Sequence, residues 1–518
     1  MRPRGSYLAA ALMTAIFAAI ILTCTSPSSR RSPERKVAEK YCASCHKFPE
    51  PELLDKNTWL NSVLPAMGPR LGIYQYLGEN YPAPGRGVIA TPKGTFPDEP
   101  LLSTEEWEAI LSYYRQNAPD TLPVPSRQTP EDTTRLFATH FPAAIETEPG
   151  TLGLFIDGAA GRLLVANASA GTMEFYDPSL KLQKKIAMKR PVVYIEKAAS
   201  FTSGRKNSAS RPEAGENYLL TDIGTYFPSD FKEGAAWTLD SSGNPEKLIQ
   251  MLGRPVQIRP ADLDTNGTTD YLICAYGLFD GELAWYSSPR KKYVIRKAPG
   301  AIQAEISDVN QDGRPDVWAL FAQGDEGLYL FMNRGGRGFE EKRLLRFPPS
   351  QGSSSFELQD FNDDGHTDIL YTSGDNADFS LILKPYHGVY IYLNDGRGNF
   401  EKAWFYPVNG AYKALSRDFD LDGDPDIISI AYFPDPERRP GESLLYFENK
   451  GSMQFAPHWV PGAAAGRWIN MQAGDLDADG DTDIALGNFT ASRDQLMKQY
   501  PGKWRNTAPF LLLENKTR

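Results

Sequence analysis

Residues 41–47 read YCASCHK, so two of the chain's four cysteines, Cys42 and Cys45, stand three apart with His46 touching the second. A thiol pair at this spacing serves dithiol redox chemistry, zinc ligation, or thioether attachment of a haem whose iron takes the adjacent imidazole. Zinc needs a second ligand pair nearby, and none follows; a dithiol redox site needs a βαβ context, which is absent. The pattern predicts one covalent c-type haem held by Cys42 and Cys45, with His46 as an axial ligand. Met67 is the one methionine between His46 and Pro119, and no further histidine lies in that span. Met67 is therefore the candidate sixth ligand, and the alternative is a methionine that only fills the core. A thioether opposite an imidazole raises the reduction potential and suits electron transfer more than oxygen chemistry.

The Cys-x-x-Cys pair reads as a haem anchor in an oxidising compartment, and the start of the chain predicts one. Arg2 and Arg4 precede an apolar run from Tyr7 to Leu22, the layout of an export signal over residues 1–24. The "ILTC" that ends it resembles a bacterial lipoprotein box, which implies acylation of Cys24 and a membrane anchor. Residues 25–32 are polar and suit a tether. The reading is an extracytoplasmic protein, in periplasm or at the cell surface. Cys274, in "DYLICAYG", reads as a buried strand residue, and no disulfide is expected. A net charge of −10 without basic clusters excludes nucleic acid as a partner.

The elements that must position the haem are helices. Ser32 as N-cap and Pro33 at the first helical position open a helix that carries Cys42 at its far end. Ser103 and Glu106 form a capping box for a second helix with an apolar face of Trp107, Ile110, Leu111 and Tyr114, stopped by Pro119. This pair resembles the terminal helices of class I cytochrome c domains, implying such a domain over residues 33–118. A Pro-rich linker over 119–136 follows.

Beyond the linker a nine-residue pattern, D-x-[DN]-x-[DN]-G-x-x-D, recurs five times, each copy leading at once into an apolar run. Side-chain oxygens at positions 1, 3, 5 and 9 can converge on a hard cation while the glycine permits the turn, so up to five Ca²⁺ ions are expected. The ligands are Asp262, Asp264, Asn266 and Asp270; Asp308, Asn310, Asp312 and Asp316; Asp360, Asn362, Asp364 and Asp368; Asp418, Asp420, Asp422 and Asp426; and Asp475, Asp477, Asp479 and Asp483. The alternative is an Asx-type turn that binds no metal. Strand and glycine-turn segments such as "LYLFMNRGGRGF" and "VYIYLNDGRGNF" repeat behind the loops. One inner strand per unit, beginning near Leu163, Tyr218, Tyr271, Val317, Ile369, Ile427 and Ile484, makes seven units of about fifty residues, which bury their faces by packing radially as a β-propeller over 137–518.

The five loops resemble the FG-GAP/VCBS repeats of integrin-like seven-bladed propellers, and the whole chain resembles exported bacterial proteins that place a cytochrome c domain before such a propeller. The resemblance implies an all-β seven-bladed propeller preceded by a small all-α haem domain, haem c, calcium in five blades and an extracytoplasmic location.

Units five, six and seven carry extra residues at the same point of each repeat, which puts the insertions side by side on one face. They contribute Asp375, Asn376, Tyr386, His387, Arg438, Arg439, Arg493, Tyr500 and Trp504, a mixture suited to recognition of a glycan, a small molecule or a redox partner protein. Solvated loops with incidental charges are the alternative. Three functions follow: an electron-transfer haemoprotein with a docking propeller, a dehydrogenase that passes electrons to its own haem, or a surface adhesion module. Nothing resembling a quinoprotein site favours the second, and the haem disfavours the third.

Overall fold

The computed structural model describes residues 32–81, 94–143, 148–198, 217–225, 228–240, 242–377, 381–491, 498, 504 and 507–518. The predicted export signal with Cys24, nearly all of the predicted tether, Arg493 and Tyr500 lie outside the described residues.

Local capping fixes the two main helices. Ser32 Oγ accepts from Arg35 N and Pro33 opens α1, Pro33–Cys42. Both halves of the Ser103/Glu106 box are present at the start of α2, Thr104–Asn117. Trp107, Ile110, Leu111 and Tyr114 are buried as expected from spacing, and Tyr113 joins them. Trp59 packs on Tyr114 with ring centroids 4.4 Å apart, and each buries its polar atom by donating to a backbone carbonyl, Trp59 Nε1 to Pro51 O and Tyr114 Oη to Pro49 O, both 2.8 Å. Short helical turns, Leu64–Met67 and Gly68–Leu71, connect the two helices and end at Gly72. Gly72 has φ +78°, and an added Cβ would sit 2.3 Å from Glu99 O, so only glycine fits.

The remainder forms seven four-stranded antiparallel sheets, the blades of a propeller. Blade 1 runs from Thr151–Asp157 to Leu182–Ala187, and blades 2 to 6 follow in chain order. Blade 7 takes Trp468–Gly474, Asp483–Asn488 and Phe510–Asn515 from the C-terminal end and its outermost strand, Phe137–His140, from the N-terminal side. The register Phe137↔Asn515 to His140↔Leu512 closes the ring, and closure removes the edge an open array would expose.

One expectation is corrected. The strand near Val317, Ile369, Ile427 and Ile484 is the second of each blade, not the innermost. Second strands are flanked within the blade and covered by neighbouring blades on both faces, so every residue of Asp316–Phe321, Asp368–Ser373, Asp426–Ala431 and Asp483–Asn488 is buried. The innermost strands of blades 4 to 6, AIQAEIS, SSSFELQ and AYKALSR, carry polar side chains and read weakly as strands. Every innermost strand begins with a register shift around its second residue. The third residue then stitches adjacent blades: Gln257 Oε1 accepts from Ala304 N at 2.6 Å, Gln303 Nε2 donates to Phe356 O at 2.8 Å, and Asn470 Nδ2 donates to Leu152 O at 3.0 Å.

Candidate functional site

Helix α1 delivers Cys42 at its last residue, and Cys45 and His46 follow in the turn beyond it. Both thiols are free. Cys42 is half-buried beside Tyr114, and burial pushes its thiol up to about 11; Cys45 is exposed, 3.6 Å from Ser44 Oγ. His46 Nδ1 lies 3.0 Å from Lys47 O, an acceptor, so Nδ1 carries the proton and Nε2 keeps its lone pair. Burial holds the imidazole below its ordinary range, which keeps it neutral and able to ligate. Met67, at the end of its short helix, is half-buried against the same helical core as Cys42.

The helical region docks on the propeller. Lys47 Nζ donates to Arg346 O at 3.2 Å in blade 4, and Tyr386 Oη in blade 5 donates to Leu53 O at 3.0 Å. Phe96 meets Phe279 of blade 3 edge-on at 5.5 Å, and Ile382 of blade 5 packs on the helical core. Tyr386, Phe279 and Ile382 lie in connections between the second and third strands, the same connections that hold the three insertions.

The Asp loops join first to second strands, at the opposite ends of the blades. In each, the first aspartate accepts from the glycine N–H at position 6, as Asp262 does from Gly267 N at 2.7 Å and Asp308 from Gly313 N at 2.7 Å. Those glycines have φ from +82° to +102°, so the turn itself demands them; at Gly313, Gly365 and Gly423 a Cβ would meet open space, and at Gly480 the Arg518 guanidinium at 2.7 Å. The ninth residue is buried and accepts from the N–H at position 2: Asp270 from Leu263, Asp316 from Val309, Asp368 from Phe361, Asp426 from Phe419 and Asp483 from Leu476. In blades 4 to 7 it also holds the asparagine ending the third strand, through Asn333, Asn394, Asn449 and Asn515.

The loops divide by position 3. In blades 3, 6 and 7 that residue is Asp264, Asp420 or Asp477, and ligand oxygens at positions 1, 3 and 9 lie within 4.8 Å of one another. Burial, with the neighbouring carboxylates, raises Asp270 and Asp483 to about 6 and Asp426 to about 7. In blades 4 and 5 the residue is Asn310 or Asn362, whose amide donates to Asp312 or Asp364 at 3.0 Å. The fifth-position Asn266, Asp422 and Asp479 accept from the N–H two residues on instead of completing the triads.

Among the described residues, the inserted side chains do not form one open surface. Asn376 is buried, bonded to Ile382 O and Lys384 Nζ; His387 is buried, and burial drives its pKa far down. Tyr386 is committed to Leu53 and Ser350. Asp375 Oδ1 caps Ala377 N, and Trp504 is half-buried with the Arg467 guanidinium 5.8 Å from its ring. Arg438 is exposed and Arg439 pairs with buried Glu442 at 2.9 Å; both line a cleft of about 760 Å³ shared with Asn409, Asp435, Trp459 and residues 122–129. That stretch is packed onto the propeller, Arg127 donating to Pro407 O at 2.6 Å.

Sequence reading missed a charged network on the innermost strands. Arg259 of blade 3 bridges Glu196 of blade 2 at 3.2 Å and Glu305 of blade 4 at 3.0 Å, and Arg417 of blade 6 pairs with Glu357 of blade 5 at 2.7 Å. Burial pushes the nearby Lys413 down to about 8. The available signal was polar alternation just before each Asp loop, as in "QAEIS".

Residues 308–371 and 418–486 match the family model of the FG-GAP-like repeat and include the Asp loops of blades 4 to 7. No curated protein matches the chain. Among solved structures, a selenomethionine-substituted virginiamycin B lyase from Staphylococcus aureus is 9% identical with TM-score 0.45, over 73% of this chain and 99% of that one. A catalytically inactive form of that lyase with quinupristin is 8% identical, TM-score 0.44, over 73% and 100%. Kuenenia stuttgartiensis hydrazine synthase is 12% identical, TM-score 0.42, over 67% and 95%. At these scores the three structures carry no argument about chemistry. The chain carries FG-GAP-like repeats built into a seven-bladed β-propeller.

Proposed function

We propose that the protein is an extracytoplasmic c-type haem electron-transfer protein, tethered through Cys24, whose calcium-stabilised propeller recognises a redox partner or ligand. The observation that carries this reading is the donor set at the end of α1: two free thiols, Cys42 and Cys45, and a neutral His46 whose Nδ1 is spent on Lys47 O while Nε2 is left to ligate. These residues fit a haem. Cys42 and Cys45 would hold it by thioethers, His46 Nε2 would ligate one face and Met67 the other. The bound group would supply a one-electron couple. The Lys47 carbonyl orients the imidazole and raises its basicity. Expression with haem-maturation machinery should leave haem covalently attached after denaturation, with a low-spin c-type reduced-minus-oxidised spectrum; a colourless chain overturns the reading. Met67→Ala should abolish the sulfur-to-iron charge-transfer band, and an unchanged band removes Met67 from the site.

A second reading, substrate oxidation on the propeller with electrons passed to the attached haem, draws support from the docking of the Cys-x-x-Cys-His turn on the insertion face beside blade 4. It requires that some added carbohydrate or small reductant reduce the haem with no other protein present.

A further inference from the structure

We infer that Arg70 receives the carboxylate edge of the bound haem and that Phe279 of blade 3 holds Arg70 in place, so that the propeller completes the haem pocket. This rests on the haem reading above. Arg70 stands three residues after Met67 in the turn Gly68–Leu71, which Gly72 N to Pro69 O and Ile73 N to Gly68 O pin at 3.1 and 2.8 Å. Its guanidinium meets two rings that also touch each other, 5.1 Å from Phe96 and 4.5 Å from Phe279, the rings themselves 5.5 Å apart and nearly perpendicular. A phenyl ring attracts the charge but carries no oxygen acceptor, so neither ring supplies the carboxylate that a guanidinium fork takes. Arg70 is exposed, and among the described residues no carboxylate pairs with it.

The carboxylates nearest this seam are committed elsewhere. Asp230 accepts from the backbone N–H groups of Leu278, Phe279 and Asp280 at 2.8 to 2.9 Å, which fixes the loop that presents Phe279. Asp325 pairs with Arg343 at 3.3 Å and Arg346 at 2.6 Å. Arg70 feels the Asp230 charge but forms no ion pair with it among the described residues, and its own charge acts on the His46 imidazole. Haem attached at Cys42 and Cys45 brings two carboxylates of its own, and a guanidinium is the side chain that receives carboxylates in bidentate fashion. The order of dependence is Asp230 to Phe279 to Arg70 to haem, and its first two members belong to the propeller.

The test uses the full chain with covalent haem. A cation beside the haem favours the reduced iron, so Arg70→Gln should lower the reduction potential. The oxidised-to-reduced ratio at fixed ambient potential should rise about tenfold, equivalent to about 59 mV for a one-electron couple. Arg70→Lys should recover much of the shift, and Phe279→Ala should move the potential in the same direction. An intact haem spectrum with unchanged potential in Arg70→Gln overturns the inference, leaving Arg70 a cation packed on two aromatic rings. A shift in Arg70→Gln with none in Phe279→Ala overturns the part given to the propeller. If Arg70→Gln does not fold, Phe279→Ala decides alone. A parent chain with no covalent haem removes the proposed function and this inference together, an outcome distinct from an unresponsive haem.

Discussion

Tyr386 of blade 5 donates its hydroxyl to the carbonyl of Leu53, 333 residues earlier in the chain, at 3.0 Å. The same hydroxyl lies 3.2 Å from Ser350 O, so one side chain ties the helical region to two points of the propeller. Tyr386→Phe keeps the ring and deletes the bonds. It should cost about 0.5–1.5 kcal/mol, felt as earlier proteolysis of the helical region while the propeller's own melting is unchanged. Equal loss in both parts would show that Tyr386 stabilises blade 5 alone.

Calcium should bind the three loops with an aspartate at position 3 more tightly than the two with an asparagine. The triads Asp262/Asp264/Asp270, Asp418/Asp420/Asp426 and Asp475/Asp477/Asp483 already converge, and a dication relieves their mutual repulsion. Each occupied site adds about 2.7 kcal/mol at a free calcium of 100 times its Kd. Calorimetric titration should resolve three tight sites, reduced to two by Asp420→Asn. Identical melting with calcium and with chelator would mean that the loops are turns and nothing more.

Ring closure should depend on Phe137. It is 4% exposed and packs edge-on against Phe419 and Tyr446 of blade 6, each at 5.8 Å. Phe137→Ala leaves a cavity where the last strand joins the ring and should cost about 3–5 kcal/mol, read as a lower urea midpoint for the whole propeller. A loss below about 1 kcal/mol would show that the site collapses or that the strand contributes little.

Lys413 makes stability rise with pH on the alkaline side. Its folded pKa is depressed from 10.5 to about 8 by burial, so between those values the unfolded chain binds more protons than the folded one. Stability should therefore climb from pH 8 towards 10.5 as the penalty of a buried ammonium disappears. Lys413→Met should remove that slope and stabilise the protein at neutral pH. A slope unchanged in the variant assigns it to other groups.

What could be read directly from residues was whatever depends on neighbours along the chain. Ser32 with Pro33, and Ser103 with Glu106, cap their own helices, so α1 and α2 were visible without any tertiary contact. The Asp loops were visible because aspartate, glycine and the following buried strand act within nine residues, and five copies share one register. The innermost strands were not: their side chains bond to other blades, as Gln303 does to Phe356, and their polarity hides the strand.

The Cys42–Cys45–His46 triplet, the turn geometry of the Asp loops and the number of blades were legible along the chain, because each is a short-range pattern, single or repeated. Contacts between distant segments close blade 7 with Phe137–His140, join Glu196 to Glu305 through Arg259, and bring Tyr386 and Phe279 to the helical region. It also buried Asn376 and His387, which composition had offered to solvent. Ring closure brings together residues hundreds of positions apart, and no local propensity records which of them will meet.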